Sequence, residues 1–164
     1  MDFKFKSCDI VSTYDNSIIS KLIRYISKST VSHTAIMYDE KFVIESWISG
    51  VRIISIEDLK KRCNFYVSRC ELTDLQSKII TTYLQNKYKS KYDLLQLLTI
   101  ALHKIFGIKI LNNHQKYICS ELVWEAYTQI GMEIAPQVDE SDDVTPKDLI
   151  ESQNLKIVAE YIKC

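Results

Sequence analysis

The amino-acid sequence predicts an α+β fold in which an antiparallel β-sheet packs against helices. Short strand-like runs separated by turn residues follow one another from Ser32 to Ile56, which is typical of an antiparallel meander. Helical periodicity lies outside this block, in segments such as 73–84 and 119–130. A length of 164 residues, with 46% hydrophobic and 26% charged residues, favours one globular domain over residues 1–164.

The first part of the chain predicts one strand and one helix. Cys8 to Val11 form a short strand, and the polar residues after it can cap a helix from about Ser17 to Ser27. In this helix Leu22 and the isoleucines share one face, whereas the basic residues share the other. We interpret the basic face as a solvated surface.

The meander places a histidine and a glutamate close together. Its strands are predicted at Ser32–Tyr38, Phe42–Trp47 and Val51–Ile56, and a fourth strand at Asn64–Cys70 follows a helical turn at 57–61. Side chains alternate between the faces of a strand, so His33 and Ala35 share one face. A three-residue turn at 39–41 pairs Ala35 with Glu45, which makes Glu45 a diagonal neighbour of His33, roughly 7 Å away between Cα atoms. A register shifted by one residue would put the two side chains on opposite faces.

The second half of the chain predicts more helices and a closing strand. A capping box at Thr73–Gln76 starts one helix. The predicted buried stripe of this helix consists of Leu75, Ile79, Ile80, Tyr83 and Leu84. Tyr92–Phe106 is predicted as a mostly apolar core helix, too short and too often interrupted by polar residues to span a bilayer. Proline at the first helical position starts a helix at Thr145–Leu149, and Leu155–Ile162 is the predicted last strand.

Cys119 stands directly before a helical pattern. Residues at helical spacing follow it, and Gly131 ends the run. Free N–H groups and the positive end of the helix dipole favour a thiolate at such a position, and the thiolate is the nucleophilic form of cysteine. A buried cysteine that acts only as a small hydrophobic residue fits the same local pattern.

The composition argues against several classes of function. Because 21 basic and 21 acidic residues balance, the chain has neither a nucleic-acid footprint nor a polybasic membrane arm. The five cysteines include no zinc-knuckle pair and no secretory signal precedes them, so we expect free thiols in a reducing, cytoplasmic compartment. The three histidines are too scattered for a metal set, and the acidic loop 135–144 lacks calcium-ligand spacing. No metal and no other cofactor is expected.

Cys119, His33 and Glu45 together form the minimum set for thiol acyl transfer. In such a set the thiolate attacks a carbonyl, the imidazole carries the proton, and the carboxylate fixes the tautomer of the imidazole. Backbone N–H groups at the start of the Cys119 helix can bind the oxyanion. In papain-like enzymes the cysteine precedes the histidine, whereas here it follows, which is compatible with the same geometry if the chain is permuted.

Several motifs, taken in order, resemble one family. They are Ser32–Tyr38, Val43–Ser46, Gly50–Ile53, Lys91–Asp93, Ile118–Val123 and Thr145–Leu149. This set resembles the circularly permuted NlpC-type papain-like proteins, in particular the YiiX/YebB-like branch, over nearly the whole chain. The chain departs from the family pattern at Cys8 and Ala35, where small residues stand in place of glycine.

The resemblance implies a cysteine hydrolase, either a peptidase or an amidase, that acts through a thioester on cell-wall-type peptides or lipid amides. It implies that Cys119 is the nucleophile, that His33 is the base, and that Glu45 orients this base. Tyr92 belongs to the Tyr-Asp motif of the family and is expected to bind substrate, although a buried helix aromatic is an equally good interpretation. Tyr38 is also assigned to the substrate site.

Two other functions stay open. An acyltransferase similar to lecithin–retinol acyltransferase would use the same three residues but pass the acyl group to an amine or an alcohol. A binding module would keep the fold without the chemistry, and an unperturbed Cys119 thiol would favour it. We expect a small peptide or an acylated small-molecule or lipid substrate, no nucleic-acid partner and no stable membrane insertion, whereas the oligomeric state is left open.

Overall fold

The computed structural model describes residues 3–47, 49–88, 91–92, 116–117, 119–138 and 144–163. The strands are β1 (Ile10–Tyr14), β2 (His33–Met37), β3 (Phe42–Trp47), β4 (Gly50–Ser55), β5 (Asn64–Arg69), β6 (Lys91–Tyr92), β7 (Lys116–Tyr117) and β8 (Lys156–Tyr161). The helices are α1 (Ile18–Ser27), α2 (Ile56–Arg62), α3 (Asp74–Lys87), α4 (Cys119–Thr128) and α5 (Pro146–Ile150). The predicted helix Tyr92–Phe106 lies outside the described residues except for Tyr92, which belongs to β6.

Six strands form one antiparallel sheet in the order β4-β3-β2-β1-β5-β8. The predicted meander β2-β3-β4 makes up half of it, and the register is the predicted one, with Ala35 opposite Glu45. Strands β6 and β7 form a separate parallel pair. The predicted α+β class, with an antiparallel sheet packed against helices, is therefore confirmed.

Strand β1 differs from its predicted bounds because it is a central strand. It pairs with β2 on one side and with β5 on the other, and this pairing extends from Ile10 to Tyr14. The polar residues Ser12 and Thr13, which we predicted to follow the strand and to supply caps for the first helix, are instead buried within β1. Double-sided pairing satisfies the backbone of these residues and outweighs their preference for turns.

Both faces of the sheet are covered. On one face Ile36 and Ile44 belong to the same core cluster as Leu122 of α4. On the other face Ala35 and Val43 share a core cluster with residues of α2. A fully buried leucine or isoleucine of this kind stabilises the fold by about 1.5–3 kcal/mol. Polar side chains on either face of the central strands are consequently held in the protein interior.

Helix α3 buries only part of its predicted stripe. Ile80 and Leu84 are buried, and Tyr83 packs against the core cluster that α3 shares with α4. Leu75 and Ile79 are exposed, contrary to the prediction. The stripe is therefore buried only where α3 contacts α4, because periodicity identifies a common face but not how much of that face finds a partner. Across the described ranges, no helix has the length and apolar character required to cross a membrane.

Helix α1 also differs from the ordinary pattern of a surface helix. Its polar residue Ser20 is buried, whereas Ile18, Ile19 and Leu22 on the apolar face are exposed. The Ser20 hydroxyl lies 2.7 Å from the hydroxyl of Ser32, and this buried hydrogen bond holds the polar side of α1 against the sheet. The sequence pattern indicates which residues share a face, but it does not indicate which face turns inward.

A buried tyrosine fastens α4 to the segment before β1. The Tyr127 hydroxyl donates a hydrogen bond of 2.6 Å to the carbonyl oxygen of Cys8. Both residues are buried, so water cannot replace this donor. The hydrogen bond fixes α4, and with it Cys119, relative to the sheet.

We expect Tyr127→Phe to lower the free energy of unfolding by about 1–2 kcal/mol, because the Cys8 carbonyl loses its buried donor while the packed ring remains. Urea unfolding curves measure this difference. Tyr25→Phe is the matched control, since Tyr25 is exposed on α1 and its hydroxyl can bond to water. Equal unfolding midpoints and slopes for the two variants would contradict the anchoring role of Tyr127.

Candidate active site

A buried carboxylate holds the imidazole of His33. His33 Nε2 and Glu45 Oε2 are 2.9 Å apart, and Glu45 is fully buried. This hydrogen bond follows from the observed register, which places the two side chains on the same face as diagonal neighbours across β2 and β3. The Trp47 ring packs edge-on against the imidazole, with centroids 5.3 Å apart. Since Nε2 is engaged by Glu45, the other ring nitrogen, Nδ1, is left for Cys119.

Two arginines hold the second oxygen of Glu45. Arg52 donates to Oε1 through Nε at 2.9 Å and Nη2 at 2.8 Å, and Arg62 donates through Nη2 at 3.0 Å. Both guanidinium groups also lie over the Trp47 ring, 4.7 and 5.2 Å from its centroid. Both oxygens of this buried carboxylate therefore accept hydrogen bonds from cationic or N–H donor groups.

The partners of Glu45 keep it ionised. Burial alone would raise the pKa of Glu45, but the hydrogen bond and charge of His33, followed by the charge of Arg62 and the hydrogen bond of Arg52, lower that pKa to about 2. Glu45 is consequently a carboxylate at neutral pH. It can hold His33 with Nε2 protonated, which is the tautomer that leaves Nδ1 free to exchange a proton.

Cys119 approaches His33 from the other side of the sheet. Helix α4 packs against β2 and β3 on the face of the sheet that carries Ile36. The side chains of His33 and Glu45 project from the opposite face, which carries Ala35 and Val43. The thiol and the imidazole nevertheless hydrogen-bond, because Cys119 is the first residue of α4 and His33 is the first residue of β2. The ends of two elements thus meet at the margin of the sheet.

Cys119 alone, among the four cysteines in the described part of the chain, has a lowered pKa. Burial would raise the pKa of its thiol, but the charge and the hydrogen bond of His33 outweigh burial, aided by backbone hydrogen bonds of Thr34 and Ser120. In the other three, burial dominates and raises the pKa of the thiol. These three are Cys8, Cys63 and Cys70.

The pKa of His33 shifts in the opposite direction. Burial would lower it, but the charge and hydrogen bond of the Cys119 thiolate, and then those of Glu45, raise it. The thiolate–imidazolium pair is therefore favoured at pH values between the lowered pKa of the thiol and the raised pKa of the imidazole. Below this window Cys119 is protonated, and above it His33 loses its charge. A reaction that needs the pair should have a bell-shaped pH profile whose two limbs belong to the pair as a unit.

We expect His33→Ala to slow the alkylation of Cys119 by iodoacetamide at pH 6 by about 10- to 100-fold. The substitution removes the largest interaction that stabilises the thiolate, while burial continues to raise the pKa of the thiol. Rates measured against pH, with the adducts located by mass spectrometry, test this prediction. Cys70 is an internal control, because its half-buried thiol should react at the same rate in both proteins. Equal Cys119 rates at pH 6 would show that His33 does not activate the thiol.

The structure brings Cys119, His33 and Glu45 together, but it does not bring Tyr38 to them. Tyr38 follows the far end of β2, roughly 16 Å along the strand from His33. Tyr92 lies in β6 and its backbone pairs with Tyr117, close in sequence to Cys119. The side chain of Tyr92 is outside the part of the chain that the structure describes. The substrate-binding roles of Tyr38 and Tyr92 stay predictions.

Sequence reasoning missed the two arginines. Arg52 lies directly opposite Glu45 in the register of β3 and β4. The argument from turn length that placed His33 near Glu45 could therefore also have placed Arg52 there. Arg62 is the last residue of α2, and no strand pattern relates it to Glu45. Only the packing of α2 beside β4 brings its guanidinium to the carboxylate.

A solved structure shares this fold. The structure of metalloprotein YiiX from Escherichia coli O157:H7 matches with a TM-score of 0.74 at 19% sequence identity, covering 96% of this chain and 98% of that chain. Although that protein is described as a metalloprotein, the residues described here include no group of three or more His, Cys, Asp and Glu side chains that could hold a metal ion.

The comparison with protein families agrees with the structural match to YiiX. No curated protein matches the chain. A family model described as permuted papain-like amidase enzyme, YaeF/YiiX, C92 family, matches residues 9–159, which include Cys119, His33 and Glu45. The chain therefore belongs to the permuted papain-like amidase family of YaeF and YiiX.

Proposed function

We propose that this protein is a cysteine amidase in which Cys119 forms a thioester with the acyl part of its substrate. One observation carries the proposal: Cys119 hydrogen-bonds to His33, whose Nε2 lies 2.9 Å from the buried carboxylate of Glu45, and this interaction lowers the pKa of the thiol. A thiolate held by an imidazolium is the activated nucleophile of thiol acyl transfer. The amidase family supplies the class of bond, a carbonyl attached to nitrogen.

In the acylation step the Cys119 sulfur attacks the carbonyl carbon, and the carbonyl oxygen gains the negative charge of a tetrahedral intermediate. Backbone N–H groups in the first turn of α4 are the donors proposed for this oxyanion. The proton on His33 Nδ1 passes to the leaving nitrogen as the carbon–nitrogen bond breaks. The products of this half-reaction are a free amine, a neutral imidazole and an acyl thioester on Cys119.

In the deacylation step neutral His33 takes a proton from water, and the hydroxide formed attacks the thioester carbonyl. Collapse of the second intermediate breaks the carbon–sulfur bond, releases a carboxylic acid, and restores the thiolate and the imidazolium. Glu45 holds Nε2–H through both steps and stabilises the imidazolium each time it forms. Because the pKa of Glu45 is about 2, the carboxylate takes part without being protonated.

The proposed substrates are amides of cell-wall-type peptides or of lipids, processed in the cytoplasm. Both classes contain the same reacting group, so the three residues at the site act on either in the same way. The choice between them depends on binding surfaces beyond Cys119, His33 and Glu45. Tyr92 is proposed to contribute to such a surface, since its backbone pairs with the strand that leads to Cys119.

Trapping of the acyl-enzyme tests the proposal. The protein is mixed with N-acyl amines and, separately, with short peptide amides, quenched in acid and digested for mass spectrometry. We expect an acyl group on the Cys119 peptide that hydroxylamine removes, and none on the Cys70 peptide. Turnover without an adduct at Cys119 in any quenched sample would contradict the proposed intermediate. Added amine acceptors then distinguish hydrolysis from acyl transfer, because a transferase gives the new amide instead of the acid.

A further inference from the structure

Helix α1 is attached to the protein through its polar side. The Ser20 and Ser32 hydroxyls share a buried hydrogen bond of 2.7 Å. Arg24 Nη2 donates a hydrogen bond of 3.1 Å to the carbonyl oxygen of Asp15 and lies over the ring of Tyr14. A surface helix ordinarily turns its apolar face towards the core. In α1 the polar side makes these contacts instead, so exposed apolar side chains of the helix are available to contact another molecule.

Four apolar side chains of α1 face solvent as one contiguous group. Ile18, Leu22 and Tyr25 recur at helical spacing and are 84%, 55% and 82% exposed, and the neighbouring Ile19 is 62% exposed. We call these four side chains the α1 stripe. Single exposed apolar residues are ordinary, whereas a contiguous group on one helix marks an interaction surface.

The charges around the α1 stripe indicate the partner. All charged residues from Ile18 to Lys28 are basic, and Lys21 and Lys28 are exposed. Two copies joined through the stripe would bring like charges together, which opposes pairing. The headgroups of anionic phospholipids carry the complementary charge, and acyl chains accept apolar side chains. We propose that α1 lies in the surface of a bilayer that contains anionic phospholipids, with the α1 stripe inserted and the lysines at the headgroups.

Binding of this kind would place the catalytic site near the lipid surface. Ser32, which bonds to Ser20 of α1, immediately precedes His33 in the chain. A membrane-bound α1 would therefore hold the start of β2, and with it the Cys119–His33 pair, close to the interface where lipid amides reside. This consequence rests on the proposed function, whereas the binding itself does not. Such binding is peripheral and requires no helix that spans the bilayer.

Co-sedimentation with large unilamellar vesicles tests the proposal. We expect the protein to bind vesicles of phosphatidylcholine with 30% phosphatidylserine, to bind pure phosphatidylcholine much more weakly, and to lose most of its binding in high salt. Leu22→Ser and Tyr25→Ser should each weaken binding about tenfold. Lys21→Glu should weaken binding to the anionic vesicles alone. Leu75→Ser is the matched control, because Leu75 is 68% exposed on α3, outside the α1 stripe. This substitution should leave vesicle binding unchanged.

Further measurements separate this proposal from the others. Thermal unfolding by circular dichroism verifies that each variant folds, which we expect since the substituted side chains are exposed. Cys119→Ala should bind vesicles like the parent protein, so a failure of the proposed chemistry leaves this test intact. Three results would overturn the proposal: no binding to anionic vesicles, binding that Leu22→Ser does not weaken, or a dimer in light scattering that Leu22→Ser dissociates.

Discussion

Cys119→Ala is expected to reduce amide hydrolysis by at least about 10⁴-fold, because it removes the atom that forms the covalent intermediate. The effect should appear in kcat, with substrate binding largely kept, since alanine leaves the rest of the site in place. Steady-state rates on a substrate identified by acyl-enzyme trapping measure it. Cys70→Ala is the matched control, because Cys70 has a raised pKa and should leave the rate within about twofold. A Cys119→Ala protein that retains more than a few per cent of the parent rate would exclude Cys119 as the nucleophile.

Cys119→Ser sharpens this prediction. Serine keeps nearly the same volume and can still hydrogen-bond to His33, but its hydroxyl does not ionise next to an imidazolium as a thiol does. If the thiolate–imidazolium pair is the active form, serine should be almost as inactive as alanine. A serine variant with substantial activity would indicate general-base activation by a neutral histidine instead, and would contradict the pair inferred from the pKa shifts.

The His33–Glu45 contact could be predicted from the sequence, because strand geometry leaves little freedom. A three-residue turn fixes which residues face each other, and the alternation of side chains fixes the face, so Ala35 opposite Glu45 was sufficient to locate His33. Arg52 follows from the same rule one strand further on. These contacts depend only on local turn length and on the period of two.

The remaining contacts could not be predicted because they depend on how elements pack in three dimensions. Arg62 reaches Glu45 only because α2 packs beside β4, and Cys119 reaches His33 only because the ends of α4 and β2 meet. The orientation of α1 is of the same kind, since Ser20 on its polar side bonds to Ser32, which belongs to a different element of the chain. Hydrophobic periodicity contains no information about such polar contacts between distant elements.

The largest effect expected away from the nucleophile is that of Glu45→Gln, because this position needs two acceptors and glutamine offers one. Glu45 Oε2 accepts from His33, whereas Oε1 accepts from Arg52 and Arg62. If the glutamine oxygen faces the arginines, its NH₂ group faces Nε2 and forces the histidine proton onto Nδ1, where it blocks proton transfer from Cys119. If the oxygen faces His33, the NH₂ group meets the guanidinium donors in a buried site.

Either orientation costs activity, and the second also costs stability. We expect hydrolysis to fall by about 10²- to 10⁴-fold, as when the orienting carboxylate of a catalytic triad becomes an amide. The free energy of unfolding should fall by about 2–3 kcal/mol, less than for a fully buried ion pair, because the arginine side chains remain about one-third exposed to water. Glu57→Gln, on the exposed face of α2, is the matched control and should change neither quantity.

The pH profile of Cys119 alkylation identifies the cause of the Glu45→Gln effect. Loss of the carboxylate charge removes an interaction that raises the pKa of His33, so the imidazolium that stabilises the thiolate becomes less favourable. The acid limb of the alkylation profile should therefore move to higher pH, which narrows the pH window of the pair from its acid side. A variant that is less stable but has an unchanged alkylation profile would show that Glu45 supports the fold without orienting His33 or raising its pKa. A narrowed window with a fully folded protein would establish that the buried carboxylate acts through the histidine.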